Sequence, residues 1–277
     1  MNATQAIHGL LSDALQSGDV HLLGEALELS PATRGLLAVA PQQVHLLPAA
    51  DATLIGLAIG LAMSGQRAVI ELAGPDALWG ILQQLGQEAA LLTGEFSAPL
   101  IIRVPVAPGE DIPLDAVAAF PDITLACPSS ADQIAGALSS ALSSRSTVVI
   151  IEPRELLLEG IAADTISPPR AAVVREGTHA TVVTVGRGVQ TAQAAAAALD
   201  QEGISVEVID LCTLQPLDTE LIAASVYKTG RPVLVGCPTS TLTATVRAAF
   251  LRLESPPTSV EADESAIIGA VRASVSY

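Results

Sequence analysis

Residues Gly203-Ile-Ser-Val-Glu-Val-Ile-Asp-Leu-Cys-Thr-Leu-Gln-Pro-Leu-Asp218 limit the fold of this chain more than any other stretch. They read as a buried strand, a turn fixed by Pro216 and a helix start capped by Asp218. An alanine-rich helical run over residues 189–200 comes just before them, and the apolar run Thr181-Val-Val-Thr-Val-Gly186 precedes that helix. Strand, helix, strand, capped helix is the order of a parallel sheet with crossover helices.

The first half alternates in the same way. Strands are expected over 20–23, 44–47, 68–72, 99–106, 123–126 and 147–151, with helices over 51–64, 75–93 and 131–143. Beyond residue 178 the strands fall near 181–185, 205–209, 232–236 and 258–261, and the helices over 189–200, 218–229, 242–253 and 265–274. The stretch 154–178 has no clear period and holds Pro168, Pro169 and Gly177. The expectation is an α/β protein of two doubly wound, mostly parallel sheets: a domain at 1–153, a linker at 154–178 and a second domain at 179–277.

Composition narrows the function classes. Half of the 277 residues are apolar but only 2% are aromatic, so the cores must be built from Ala, Val, Leu and Ile. A net charge of -16 without a basic cluster argues against a nucleic-acid partner and against an anionic membrane surface. Cys127, Cys212 and Cys237 are far apart and lack ligand spacing, so no metal site is expected. The start of the chain does not read as a signal peptide, and the apolar run near 54–63 is too short to span a bilayer. A soluble cytoplasmic protein is expected.

Three features invite a functional reading, and each has a plainer one. Gly186-Arg-Gly188, with Thr191 in the place of a third small residue and Asp210 ending the next strand, is a partial dinucleotide fingerprint. The plainer reading, a tight strand-to-helix turn in a domain that binds nothing, is favoured because a two-glycine match is weak. Gly56 and Gly60 share a helix face with Ala52, spacing that admits a closely packed helix from a partner or from the same domain. Asp51 opens that helix as a cap or as a functional carboxylate. His8, His21, His45 and His179 form no pair with ligand or triad spacing.

The chain resembles the beta subunit of the thiamine-diphosphate-dependent dehydrogenase component of 2-oxo acid dehydrogenase complexes, a transketolase-like family that includes pyruvate and branched-chain 2-oxo acid dehydrogenases. The resemblance is carried by Leu214-Gln-Pro-Leu-Asp218, Ser225-Val-Tyr-Lys-Thr-Gly230, Gly56-Leu-Ala-Ile-Gly60, Gln87-Glu-Ala-Ala90, Pro99-Leu-Ile-Ile-Arg103, Ile151-Glu-Pro153 and Leu23-Gly-Glu25, in family order. It implies that the N-terminal domain binds the aminopyrimidine ring of thiamine diphosphate. An alpha subunit on a separate chain would hold the diphosphate and magnesium in an α2β2 tetramer, with a self-dimer as the alternative. The second domain would complete a dimer interface, and a lipoyl carrier acyltransferase would be a further partner. A family glutamate hydrogen-bonds a ring nitrogen of the cofactor, and the matching position here is Asp51.

The chain departs from the family pattern at this site. Asp51 is one methylene shorter than glutamate, and Ala73, Gly74 and Ala77 stand where the cofactor-facing wall carries aromatic residues. Ala107-Pro-Gly-Glu-Asp-Ile-Pro113 lacks the family histidine that assists acyl transfer, and Gly236-Cys237 replaces a common acidic pair. Three readings stay open: a working beta subunit with an altered pocket, a catalytically degenerate scaffold or regulatory relative, and an NAD-binding oxidoreductase using Gly186, Gly188 and Asp210.

Overall fold

The computed structural model describes residues 1–48, 51–85, 99–120, 122–161, 166 and 168–277, with Asp51 described in its backbone alone. The Gln87–Ala90 motif and the second half of the helix expected over 75–93 lie outside the described residues, as do positions 162–165 and 167 of the stretch read as linker. The chain forms two compact units, Met1–Pro169 and Arg170–Tyr277.

In the first unit six strands run in the spatial order β5-β6-β4-β3-β1-β2, and every pairing among them is parallel. They are β1 (Val20–Gly24), β2 (Val44–Leu46), β3 (Arg67–Glu71), β4 (Leu100–Val106), β5 (Ile123–Ala126) and β6 (Thr147–Pro153). The two-residue period of a strand sends Val69, Ile101, Val148 and Ile150 to one face of the sheet. There they meet Ile7, Leu11 and Leu15 of α1 (Ala3–Gln16) and Ile134, Leu138 and Ala141 of α6 (Ala131–Ser143). Between α1 and α6 the chain forms α2 (Leu36–Val39), α3 (Asp51–Met63), α4 (Asp76–Gln84) and α5 (Leu114–Ala118). Helix α3 packs on β3 with Leu54, Ile55, Ala58, Ile59 and Ala62 buried.

Helix α1 was not anticipated. Its signals are local: Asn2 accepts from Gln5 N while the Gln5 side chain accepts from Asn2 N, a reciprocal cap. Behind that cap, Ala3, Ala6, Ile7, Leu11 and Leu15 recur at helical spacing and are buried.

In the second unit the sheet order is β12-β11-β8-β9-β7. Strands β8 (Ala180–Thr184), β9 (Val206–Asp210), β11 (Pro232–Val235) and β12 (Thr258–Val260) are parallel, and β7 (Ala172–Arg175) pairs antiparallel at the edge of β9. The short β10 (Thr213–Gln215) follows β9. Helices α7 (Gly188–Asp200) and α10 (Glu264–Val275) supply Ala192, Ala195, Leu199, Ile267 and Val271 to a core shared with Val182, Val208, Val233 and Val235. Asp218 caps α8 (Thr219–Thr229), accepting from Leu221 N at 2.9 Å, and Gly230 ends it at φ 68°. The helix expected over 242–253 is α9 (Thr239–Ala249), which tightens into a 3-10 turn over Phe250–Arg252. Two mostly parallel sheets flanked by helices are the α/β architecture expected from the sequence.

Candidate functional site

In an open parallel sheet, ligands gather at the carboxyl ends of the strands. At that edge of the first unit lies a pocket of about 380 Å3, on the face covered by α1. Its walls include Ala26, Leu29, Pro31, Ala32, Leu72, Ala73, Pro105, Leu157 and Leu158, and its polar groups come from Thr4, Ser30, Glu71, Arg103 and Arg154.

The polar floor follows from register. Glu71 ends β3 directly opposite Arg103 of β4, and Glu152 of β6 lies two residues beyond Ile150, the residue paired with Arg103. All three continue the rows of Val69, Ile101 and Ile150 on one face, so three charges converge where apolar rows would otherwise continue. The fully buried Arg103 donates from Nε to Glu152 Oε1 at 2.9 Å, from Nη2 to Glu152 Oε2 at 2.8 Å and from Nη1 to Glu71 Oε2 at 2.5 Å. Thr33 Oγ1, also buried, donates to Leu27 O at 2.8 Å and to Glu71 Oε1 at 3.3 Å. Burial works against the Arg103 charge, but Glu152 and Glu71 outweigh it and raise its pKa. Burial pushes the Glu152 carboxyl up as well; Arg103 opposes this and Glu71 adds to it, because one cation serves two carboxylates. Gly24 makes room for the arrangement, since a Cβ there would lie 2.8 Å from Glu71 O.

One layer above the floor, Arg154 follows the end of β6 and donates from Nη2 to Ala73 O at 2.9 Å. Ala73 is exposed and Gly74 half-buried in the bend after β3, and Ala77 is half-buried in the first turn of α4. Asp51 is the first residue of α3, and its side chain lies outside the described residues. Of the positions expected to form a cofactor-facing wall, Ala73 lines this pocket, and Gly74 and Ala77 are not among its lining residues.

Two other sequence features resolve differently. Gly188 opens α7, and a Cβ on it would fall 2.2 Å from Thr184 Oγ1, so close packing accounts for the glycine. Asp210 is buried, and its Oδ1 accepts from Cys212 N at 2.9 Å, shaping the turn after β9 where Cys212 adopts φ 54°. The partial fingerprint is thus explained by local packing and turn geometry.

The histidines show no ligand or triad spacing in sequence, yet the fold brings two of them together. His21 Nδ1 lies 2.9 Å from His45 Nε2, with the rings stacked at 5.2 Å between centroids. Twenty-four residues separate them in sequence, but β1 and β2 are parallel neighbours, so the sheet brings them together.

Sequence reading missed the roles of Glu71, Glu152 and Arg154. The available signal was a charge set inside each of three apolar strands, Glu71 in β3, Arg103 in β4 and Glu152 in β6.

Fold and pocket define an α/β chain of two mostly parallel sheets whose first unit presents a pocket at the carboxyl edge of its sheet. The transketolase C-terminal domain family matches residues 170–262. The chain is 32% identical to the pyruvate dehydrogenase E1 component subunit beta of Staphylococcus aureus, over 92% of this chain and 88% of that protein. It is 31% identical to the Bacillus subtilis protein of the same name, over 96% of this chain and 90% of that one. The chain belongs to the family of pyruvate dehydrogenase E1 component beta subunits. Among solved structures it resembles a split-gene transketolase described as an inactive beta4 tetramer, with a TM-score of 0.77 and 20% identity over 100% of this chain and 98% of that one. It also resembles a 2-oxoglutarate:ferredoxin oxidoreductase from Magnetococcus marinus, with a TM-score of 0.68 and 12% identity over 99% of this chain and 65% of that one. At these identities the two structures speak for the fold alone. Among the described residues, no helix is long and apolar enough to cross a membrane.

Proposed function

We propose that this chain is the beta subunit of a thiamine-diphosphate-dependent 2-oxo acid dehydrogenase. With an alpha subunit it would catalyse oxidative decarboxylation of pyruvate or a branched-chain 2-oxo acid, with acyl transfer to lipoamide. The observation that carries the reading is the similarity to pyruvate dehydrogenase E1 beta subunits along nearly the whole chain. The pyrimidine-binding part is assigned to the first unit and the C-terminal part to the second.

The described residues suit a flat, largely apolar ring. The pocket has the volume of a small-molecule site, apolar walls and few polar groups. No side chain larger than a methyl projects from Ala73 or Gly74 to fill its rim. In this reading Asp51 holds a ring nitrogen of the cofactor and moves its proton, while Ala73, Gly74 and Ala77 form the wall. The diphosphate and magnesium belong to the alpha subunit. When bound, thiamine diphosphate supplies the nucleophile and the electron sink for decarboxylation. The protein's part is to position the proton partner and to exclude water.

A second reading, a catalytically degenerate scaffold or regulatory relative, is favoured by one observation. The positions that depart from the family cluster at the chemistry: the short acid at Asp51, the bare wall at Ala73, Gly74 and Ala77, and no histidine in Ala107–Pro113. Pyruvate-dependent reduction of an artificial electron acceptor by the reconstituted alpha–beta pair separates the two. Turnover above that of the alpha chain alone supports the enzyme, and none at saturating cofactor supports the scaffold.

A further inference from the structure

The bend between β3 and α4 is held in place in an unusual way. The last ladder bond of β3 is from Leu72 N to Arg103 O at 3.0 Å, and α4 is anchored by its buried Leu78 and Ile81. Between these anchors stand Ala73 and Gly74. An exposed methyl and a hydrogen offer nothing for neighbouring atoms to grip, and no atom lies within 4 Å of where a Cβ on Gly74 would be. Pro75 is buried, and the carbonyls of Gly74 and Pro75 accept from Ala77 N at 3.3 Å and Leu78 N at 3.0 Å, so the turn into α4 is held locally and the exposed Ala73 is the residue that a polar tie must hold.

That tie comes from two strands away. Arg154 N donates to Val106 O at 2.9 Å, which fixes the start of the Arg154 side chain beside the end of β4. The guanidinium then crosses above β4, the strand between β6 and β3, and donates to Ala73 O at 2.9 Å. Guanidinium-to-carbonyl bonds are charge-assisted, and the planar fork is preorganised, so little freedom is lost in forming one. Directly below, Arg103 joins the same two outer strands through Glu71 and Glu152. The lower arginine is sealed in the core, whereas the upper one is exposed and acts on main chain at the pocket rim.

We propose that Arg154 is the positioning residue of the cofactor-facing wall. Its bond to the Ala73 carbonyl fixes the main chain where the bend lines the pocket, and that fixed position sets the affinity of the pocket for the cofactor's ring. This rests on the thiamine-diphosphate reading of the same pocket. It assigns a specific task to an arginine that itself lines the pocket.

The test uses the reconstituted alpha–beta pair with Arg154→Met and Arg154→Lys in the beta chain, and magnesium thiamine diphosphate as the probe. Cofactor binding to the pair is read by calorimetry. Arg154→Met is expected to raise the cofactor's dissociation constant about tenfold, while turnover at saturating cofactor falls less than about threefold. Arg154→Lys, which keeps one charged donor, is expected to recover most of the lost affinity. In the beta chain alone, Arg154→Met is expected to speed amide exchange over residues 73–78 and leave 100–106 unchanged. An affinity within about twofold of the parent overturns the proposal. So does a lysine variant no better than methionine, or a thermal midpoint lowered by more than about 5 °C, which would mark Arg154 as a structural staple. If the parent pair itself binds no cofactor, the functional reading fails first, and unchanged exchange over 73–78 then overturns the tie independently.

Discussion

Arg103 and Glu152 meet through two parallel hydrogen bonds, Nε to Oε1 at 2.9 Å and Nη2 to Oε2 at 2.8 Å, with both side chains fully buried. The pair sits beneath the pocket, and Glu71 closes the other side of the guanidinium. Removing the cation leaves two buried carboxylates without their counter-charge. Arg103→Met is predicted to cost about 3–5 kcal/mol of stability, measured by urea unfolding of the isolated chain. A loss below about 1 kcal/mol, the scale of a surface pair, would mean that the site is hydrated.

The same pair predicts a pH effect. Burial raises the folded-state pKa of Glu152 above the ordinary 4.5. A carboxyl raised in the fold contributes its full stability below 4.5 and loses it as the pH climbs through the raised value. Glu152→Gln imitates the protonated form and lacks this loss. The stability advantage of the parent over Glu152→Gln should therefore shrink from pH 4 upward. An advantage that grows with pH would contradict the direction of the shift.

The histidine pair predicts the opposite slope. Burial and then the neighbouring His21 lower the His45 pKa from 6.5. A depressed folded pKa means that the contribution is present above 6.5 and is lost as the pH falls through the folded value. An imidazole titration by NMR should place His45 below 6.5, and His45→Gln should remove part of the acid-side loss of stability. A midpoint at or above 6.5 would show that the stacked rings do not exclude the proton.

Much of the fold is legible in the sequence, for physical reasons. The strands around Val69, Ile102 and Val149 are mostly apolar on both faces because both faces of a parallel sheet are covered. The cap at Asp218 is a local signal, and so is the turn at Gly230. Relations between strands were not legible. The Glu71–Arg103–Glu152 bridge spans 32 and 49 residues of sequence, and the tie from Arg154 to Ala73 spans 81. The spatial order β6-β4-β3 creates both, and no spacing rule encodes that order. Helix α1 was overlooked even though its Asn2–Gln5 cap is local.

Gly188 supplies a packing test. A methyl there would fall 2.2 Å from Thr184 Oγ1, which itself donates to Val235 O at 3.0 Å. Gly188→Ala should destabilise by about 1–3 kcal/mol, and adding Thr184→Ala should recover part of the loss. Strictly additive losses in thermal unfolding would show that the two residues do not compete for the same space.

Asp51 carries the chemical part of the account. Asp51→Ala is predicted to lower cofactor-dependent decarboxylation by at least about a hundredfold, the scale of a lost proton partner. Because the change sits at the first residue of α3, the assembly should keep its size in light scattering. Undiminished turnover would remove Asp51 from the site.

The most direct measurement is a calorimetric titration of magnesium thiamine diphosphate into the beta chain alone, an alpha-type chain alone and the reconstituted pair. Saturable heat is predicted for the pair with far tighter binding than for either chain. No heat from the pair at millimolar cofactor would contradict the central claim that this chain completes a thiamine-diphosphate site.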